Sequence, residues 1–227
     1  MLGTLYGVGV GPGDPELLTL KAVRIIEESE VIAVPADTKE NCVAYKIASG
    51  AVSDLDKKEI LFISMPMTKD ADALKASHEK GAAQIIEKLK EGKNVAFLTL
   101  GDPTIYSTYL YVHKIVLNSD FKAEIISGIP SFCAASARIN DGLVEKSEQL
   151  HIIPASYQID EALELPGTKV FMKSGKKIEA VKNKINSSNM KAVMIENCGM
   201  ENEKIYEDIS EVKENASYYS LIIVKED

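Results

Sequence analysis

The sequence predicts an α/β protein in two parts: a mostly parallel N-terminal sheet covered by helices, and a C-terminal part with a mixed sheet. Three observations predict it. Short apolar strands alternate with helical patterns through the N-terminal half, and a strand, a glycine-containing turn and a helix succeed one another three times. The polar stretch from Asn140 to Gln149 then precedes a half richer in strands, which puts the expected boundary between domains 1–142 and 143–227.

Thr4 to Val10 reads as a strand running into the loop Gly11-Pro12-Gly13-Asp14-Pro15, and Thr19 as the N-cap of a helix reaching about Ser29. Val31 to Val34 is a short apolar strand, Asn41 to Gly50 a helix and Ile60 to Ile63 another strand. The long helical pattern from Asp70 carries Leu74, Ile85, Ile86 and Leu89 as apolar positions and Gly92 as its C-cap.

Val95 to Leu98 is a buried strand that stops at Gly101-Asp102-Pro103. These residues supply an unobstructed backbone, a carboxylate and a fixed φ where ligands of open α/β sheets bind. The bland alternative is a simple turn. Leu110 to Leu117 returns as a helix and Glu124 to Ile126 as a strand, followed by Ser127-Gly128-Ile129-Pro130-Ser131-Phe132 and the small-sided helix Cys133 to Ala137. Beyond the boundary, strands are expected at His151 to Ile153, Lys169 to Met172, Val193 to Ile195 and Tyr219 to Val224, with a helix at Ile178 to Ile185.

The chain has 227 residues and a formal net charge of −8, an acidic balance that argues against a general nucleic-acid binder. No apolar run approaches a membrane span, and the start lacks signal-peptide features, so a cytoplasmic protein is expected. Cys42, Cys133 and Cys198 lie far apart, as do His78, His113 and His151, and no protein-bound metal is expected. GxGxxG fails in every register, because the third glycine falls on Pro12, Asp14 or Glu16, and no GxxxxGK[ST] is present. Glycine-lined strand ends that match no phosphate cradle suit a ligand held mainly by backbone groups, such as S-adenosylmethionine.

The segments GVGVGPGDPELLTLKA, LTLGDPTIYSTY, SGIPSFCAASAR, VFMKSG and MIENCG resemble the tetrapyrrole methyltransferases of cobalamin and sirohaem synthesis over nearly the whole chain. The resemblance implies two α/β domains with S-adenosylmethionine in the cleft between them, and a homodimer. It places Pro12, Leu100, Gly101, Asp102, Ile105, Tyr106, Pro130 and Ser131 along the cofactor, with Tyr219, Ser220 and Leu221 on a late strand near the adenosine. Lys173 falls where many relatives carry methionine, and Glu201 where some carry alanine. Asp102 or Tyr106 is the expected acceptor of the proton that C-methylation releases. The first loop, through Gly11, Gly13 and Asp14, and the lysines Lys173, Lys176 and Lys177 are the candidates for the substrate and its carboxylates.

The LGDPTIYSTY form most resembles members that methylate C20 of a reduced tetrapyrrole. Cobalt-factor II is preferred to metal-free precorrin-2 because lysine prevails over arginine, present only as Arg24 and Arg138, a composition similar to that of AT-rich anaerobes. The alternatives are another ring position, a diphthine-synthase-like methyltransferase, and a non-catalytic binding module.

Overall fold

The structure is a computed structural model that describes residues 1–66, 68–154, 159–173, 178–186, 190–212 and 216–226. Two compact units divide it, Met1–Pro130 and Ser131–Asp227.

The first unit is a parallel five-stranded sheet with helices on both faces. In chain order it comprises β1 (Thr4–Gly9), α1 (Leu20–Glu28), β2 (Val31–Val34), α2 (Val43–Ala51), β3 (Glu59–Phe62), α3 (Ala71–Lys90), β4 (Val95–Thr99), α4 (Tyr109–Asn118) and β5 (Lys122–Ile126). The strand order is β3-β2-β4-β1-β5, so β1 and β4 lie side by side in the interior of the sheet. Burial on both faces explains why β4 reads as an unbroken apolar run. Ala96 and Leu98 pack with Val8, Ile32 and residues of α1 and α2, whereas Val95 and Phe97 pack with Leu5, Ile85, Leu89 and Val112 on the other face.

Helix ends follow the local chemistry. Thr19 caps α1 by accepting from the Ala22 N–H at 3.1 Å, and Asp70 caps α3 by accepting from the N–H groups of Asp72 and Ala73. Gly92 turns the chain out of α3 at φ 81°. The fully buried Tyr109, at the start of α4, lies against Gly7, where a Cβ would stand 2.0 Å from its ring. Its hydroxyl pairs with His113 Nδ1 at 2.9 Å, and burial pushes its pKa up.

The second unit contains α5 (Ser131–Arg138), β6 (Leu150–Pro154), α6 (Ile159–Leu163), β7 (Thr168–Met172), α7 (Ile178–Asn186), β8 (Met190–Glu196), β9 (Lys204–Tyr206) and β10 (Ser220–Glu226). Its sheet runs β6-β7-β10-β8-β9, with β6 and β7 parallel and the remaining pairs antiparallel, a mixed sheet as expected. The units divide at Pro130, earlier than the boundary expected at 142, because α5 packs on β10. The strand expected from Tyr219 begins at Ser220.

Candidate functional site

The carboxyl ends of β4, β1 and β5 converge on four glycines, Gly9, Gly11, Gly101 and Gly128. Beyond β1 and β4 the chains bend back on each other. Gly11 and Gly101, with φ of 74° and 72°, exchange backbone hydrogen bonds of 3.3 and 2.8 Å. Both conformations favour glycine.

Gly9 and Gly128 meet backbone to backbone. A Cβ on Gly9 would lie 2.6 Å from both the Gly101 carbonyl oxygen and the Gly128 nitrogen, and one on Gly128 would lie 2.2 Å from the same oxygen. Side chains are therefore excluded where three strand ends meet, and the loops after β1, β4 and β5 close on one another backbone to backbone.

Asp102 locks this arrangement. Its carboxylate, 8% exposed, accepts from the Thr104 N–H at 2.8 Å and the Thr104 hydroxyl at 2.5 Å through Oδ1, and from the buried Gly128 N–H at 3.0 Å through Oδ2. The first two bonds form an Asx-type turn, and the third ties the loop after β4 to the loop after β5. All three donors are neutral, so the carboxylate leaves negative charge at the crevice and favours a cationic ligand.

The other expected residues of this unit fall around the same strand ends. Leu100 is half-buried against the α1/α2 core, and Ile105 closes a turn by donating its N–H to the Asp102 carbonyl at 3.2 Å. Tyr106 is 48% exposed with φ 48°, a left-handed conformation uncommon for a tyrosine and characteristic of functional loops. Gly11, Pro12 and Gly13 are buried, and Asp14 caps the following turn by accepting from the Glu16 N–H at 2.9 Å. Pro130 closes the first unit on the segment after Gly128.

In the second unit, Ser131 begins α5. Lys173, Ser220 and Leu221 come together where β7 ends and β10 begins. The Lys173 N–H donates to the Ser220 carbonyl at 3.2 Å, Leu221 pairs with Met172, and the Lys173 ammonium lies 5.9 Å from the Tyr218 ring centre. Tyr219 precedes the strand, 40% exposed, and accepts from the Asn197 N–H at 3.0 Å through its carbonyl. Lys176 and Lys177 lie outside the described residues.

Sequence reasoning passed over Gly9, Thr99 and Thr104. Gly9 was readable as a glycine at a strand end, and Thr104 by its spacing of two from an aspartate. Thr99 was readable only as the one polar residue closing an apolar run.

The family model for tetrapyrrole (corrin/porphyrin) methylases matches residues 4–213. The chain belongs to this family. The methylase is 38% identical over 184 residues to the probable cobalt-precorrin-2 C(20)-methyltransferase of Methanocaldococcus jannaschii, covering 79% of this chain and 77% of that one. It is 28% identical to the precorrin-2 C(20)-methyltransferase of a Sinorhizobium species, covering 98% and 95% of the two chains. Its fold matches the uroporphyrin-III C-methyltransferase of Thermus thermophilus complexed with S-adenosylhomocysteine, at TM-score 0.73 and 18% identity, over 99% of this chain and 98% of that one.

A Cβ on Gly101 would meet no atom closer than 4.0 Å, and among the described residues the buried hydroxyls of Thr99, in the first unit, and Ser220, in the second, have no hydrogen-bond partner.

Proposed function

We propose that this methylase transfers the methyl group of S-adenosylmethionine to C20 of a reduced tetrapyrrole in cobalamin biosynthesis, with cobalt-factor II preferred to precorrin-2. The observation that carries this reading is the 38% identity to a relative named for cobalt-precorrin-2 C20 methylation, over most of both chains. The cobalt belongs to the substrate.

S-adenosylmethionine supplies an electrophilic methyl on a sulfonium. The Gly11 and Gly101 N–H groups are spent on each other, so what they offer it is the second lone pair of each carbonyl, and the Asp102 carboxylate complements its positive charge. The crevice contributes chiefly alignment: holding donor and acceptor in line at near-attack distance is worth on the order of 7 to 11 kcal/mol.

Methylation of a meso carbon that bears hydrogen releases one proton. Asp102 has one lone pair of Oδ2 left for it, but a proton there weakens the three hydrogen bonds that the carboxylate accepts from Thr104 and Gly128. The Tyr106 hydroxyl relays it instead, taking the C20 proton on oxygen and passing its own to solvent. Lys173, exposed at its strand end, is the candidate for a substrate carboxylate.

Substrate choice tests the reading. Anaerobic initial rates with sirohydrochlorin and with cobalt-sirohydrochlorin are expected to favour the cobalt form. Preference for the metal-free form reverses the choice, and transfer to neither, with cofactor bound, leaves the binding-module alternative.

A further inference from the structure

Thr99 ends β4 and is the one polar residue of that strand, VAFLT. It is 7% exposed, and its hydroxyl has no hydrogen-bond partner among the described residues. A buried hydroxyl without a partner is unfavourable, and buried polar groups are ordinarily paired. Nothing in the strand requires it, because valine has the same shape and an equal liking for strands.

Its position locates what the hydroxyl serves. Thr99 pairs in register with Gly9, and paired residues of parallel strands project to the same face. A Cβ on Gly9 would point at the Gly101 carbonyl and the Gly128 amide, so the Thr99 side chain stands on the face over which those loops close. The Asp102 carboxylate is satisfied by Thr104 and Gly128, which leaves the Thr99 hydroxyl out of the loop brace.

We infer that Thr99 is a cofactor-contacting residue whose hydroxyl hydrogen-bonds a polar atom of bound S-adenosylmethionine. The inference rests on the proposed function and adds a residue to its site. It makes the free protein carry an unsatisfied group that ligand binding satisfies, so removing the hydroxyl affects folding and binding with opposite signs.

The test uses the full chain carrying Thr99→Val or Thr99→Ser, with thermal unfolding followed by circular dichroism and titration calorimetry with S-adenosylmethionine and S-adenosylhomocysteine. For Thr99→Val, a melting temperature equal to or above that of the wild type is expected, with Kd raised about tenfold for both ligands. Thr99→Ser keeps the hydroxyl and is expected to bind within about threefold of the wild type. A lower melting temperature for Thr99→Val, whatever its affinity, overturns the inference, because the hydroxyl then has a partner inside the protein. Wild-type affinity in Thr99→Val overturns it as well. If the wild-type chain binds neither ligand, the proposed function fails first and takes the inference with it.

Discussion

Replacing Asp102 by asparagine separates bracing from proton transfer. If the amide oxygen stays on Thr104, it keeps two of the three hydrogen bonds and turns its NH2 toward the Gly128 N–H, donor against donor. If the amide flips, Gly128 is satisfied and the Thr104 N–H loses its acceptor. Either way one backbone donor is left unsatisfied, at about 1–3 kcal/mol. For a chain of 227 residues that corresponds to a fall in melting temperature of roughly 2–12 °C. The chain has no tryptophan, so circular dichroism in urea is the suitable probe, paired with calorimetric titration of S-adenosylmethionine. The expected result is a lower urea midpoint, weaker cofactor binding and a turnover that persists once cofactor is saturating. A wild-type midpoint and affinity would refute the brace. Wild-type binding with turnover abolished would instead make Asp102 the base.

Gly9→Ala places a methyl 2.6 Å from backbone atoms of two loops, so neither a rotamer change nor a side-chain shift relieves it. A loss of about 1–3 kcal/mol or more is expected, with cofactor affinity falling further than in a control at an exposed helical position such as Ser49→Ala, as read by parallel melting and calorimetry. Acid stability follows Glu59, whose carboxylate lies 2.8 Å from both Lys88 and Lys93. Those lysines, Lys88 foremost, hold its pKa below the usual 4.5. A folded pKa below the unfolded one adds stability that is present above pH 4.5 and lost as pH falls through the folded value. Glu59→Gln is therefore expected to lose less stability than the wild type on acidification from pH 5 to pH 3. The difference is under about 1 kcal/mol and shrinks in high salt, because the pair is partly exposed.

The stretch from Val95 to Tyr109 shows what was legible in the sequence. An apolar run ended by Gly-Asp-Pro identified β4 and its ligand-facing end, because burial on both faces and a bare backbone leave marks in consecutive residues. The bond from Gly128 to Asp102 left none. It joins residues 26 apart, and nothing local distinguishes Gly128 from any other turn glycine. The meeting of Gly9 with Gly128 across the strand ends was hidden for the same reason. The division at Pro130 left no local mark either: α5, directly after β5, packs on β10, about 80 residues further along the chain, a pairing that no stretch of sequence near Pro130 shows. Strand β9 escaped because three residues, Lys204 to Tyr206, are too short to show a period.

The most direct test of the account is the position of the transferred carbon. The protein, incubated anaerobically with 13C-methyl S-adenosylmethionine and cobalt-sirohydrochlorin, is expected to give a product one methyl group heavier, with the label on C20 by NMR. Label on any other ring carbon, or on no tetrapyrrole despite bound cofactor, would contradict it.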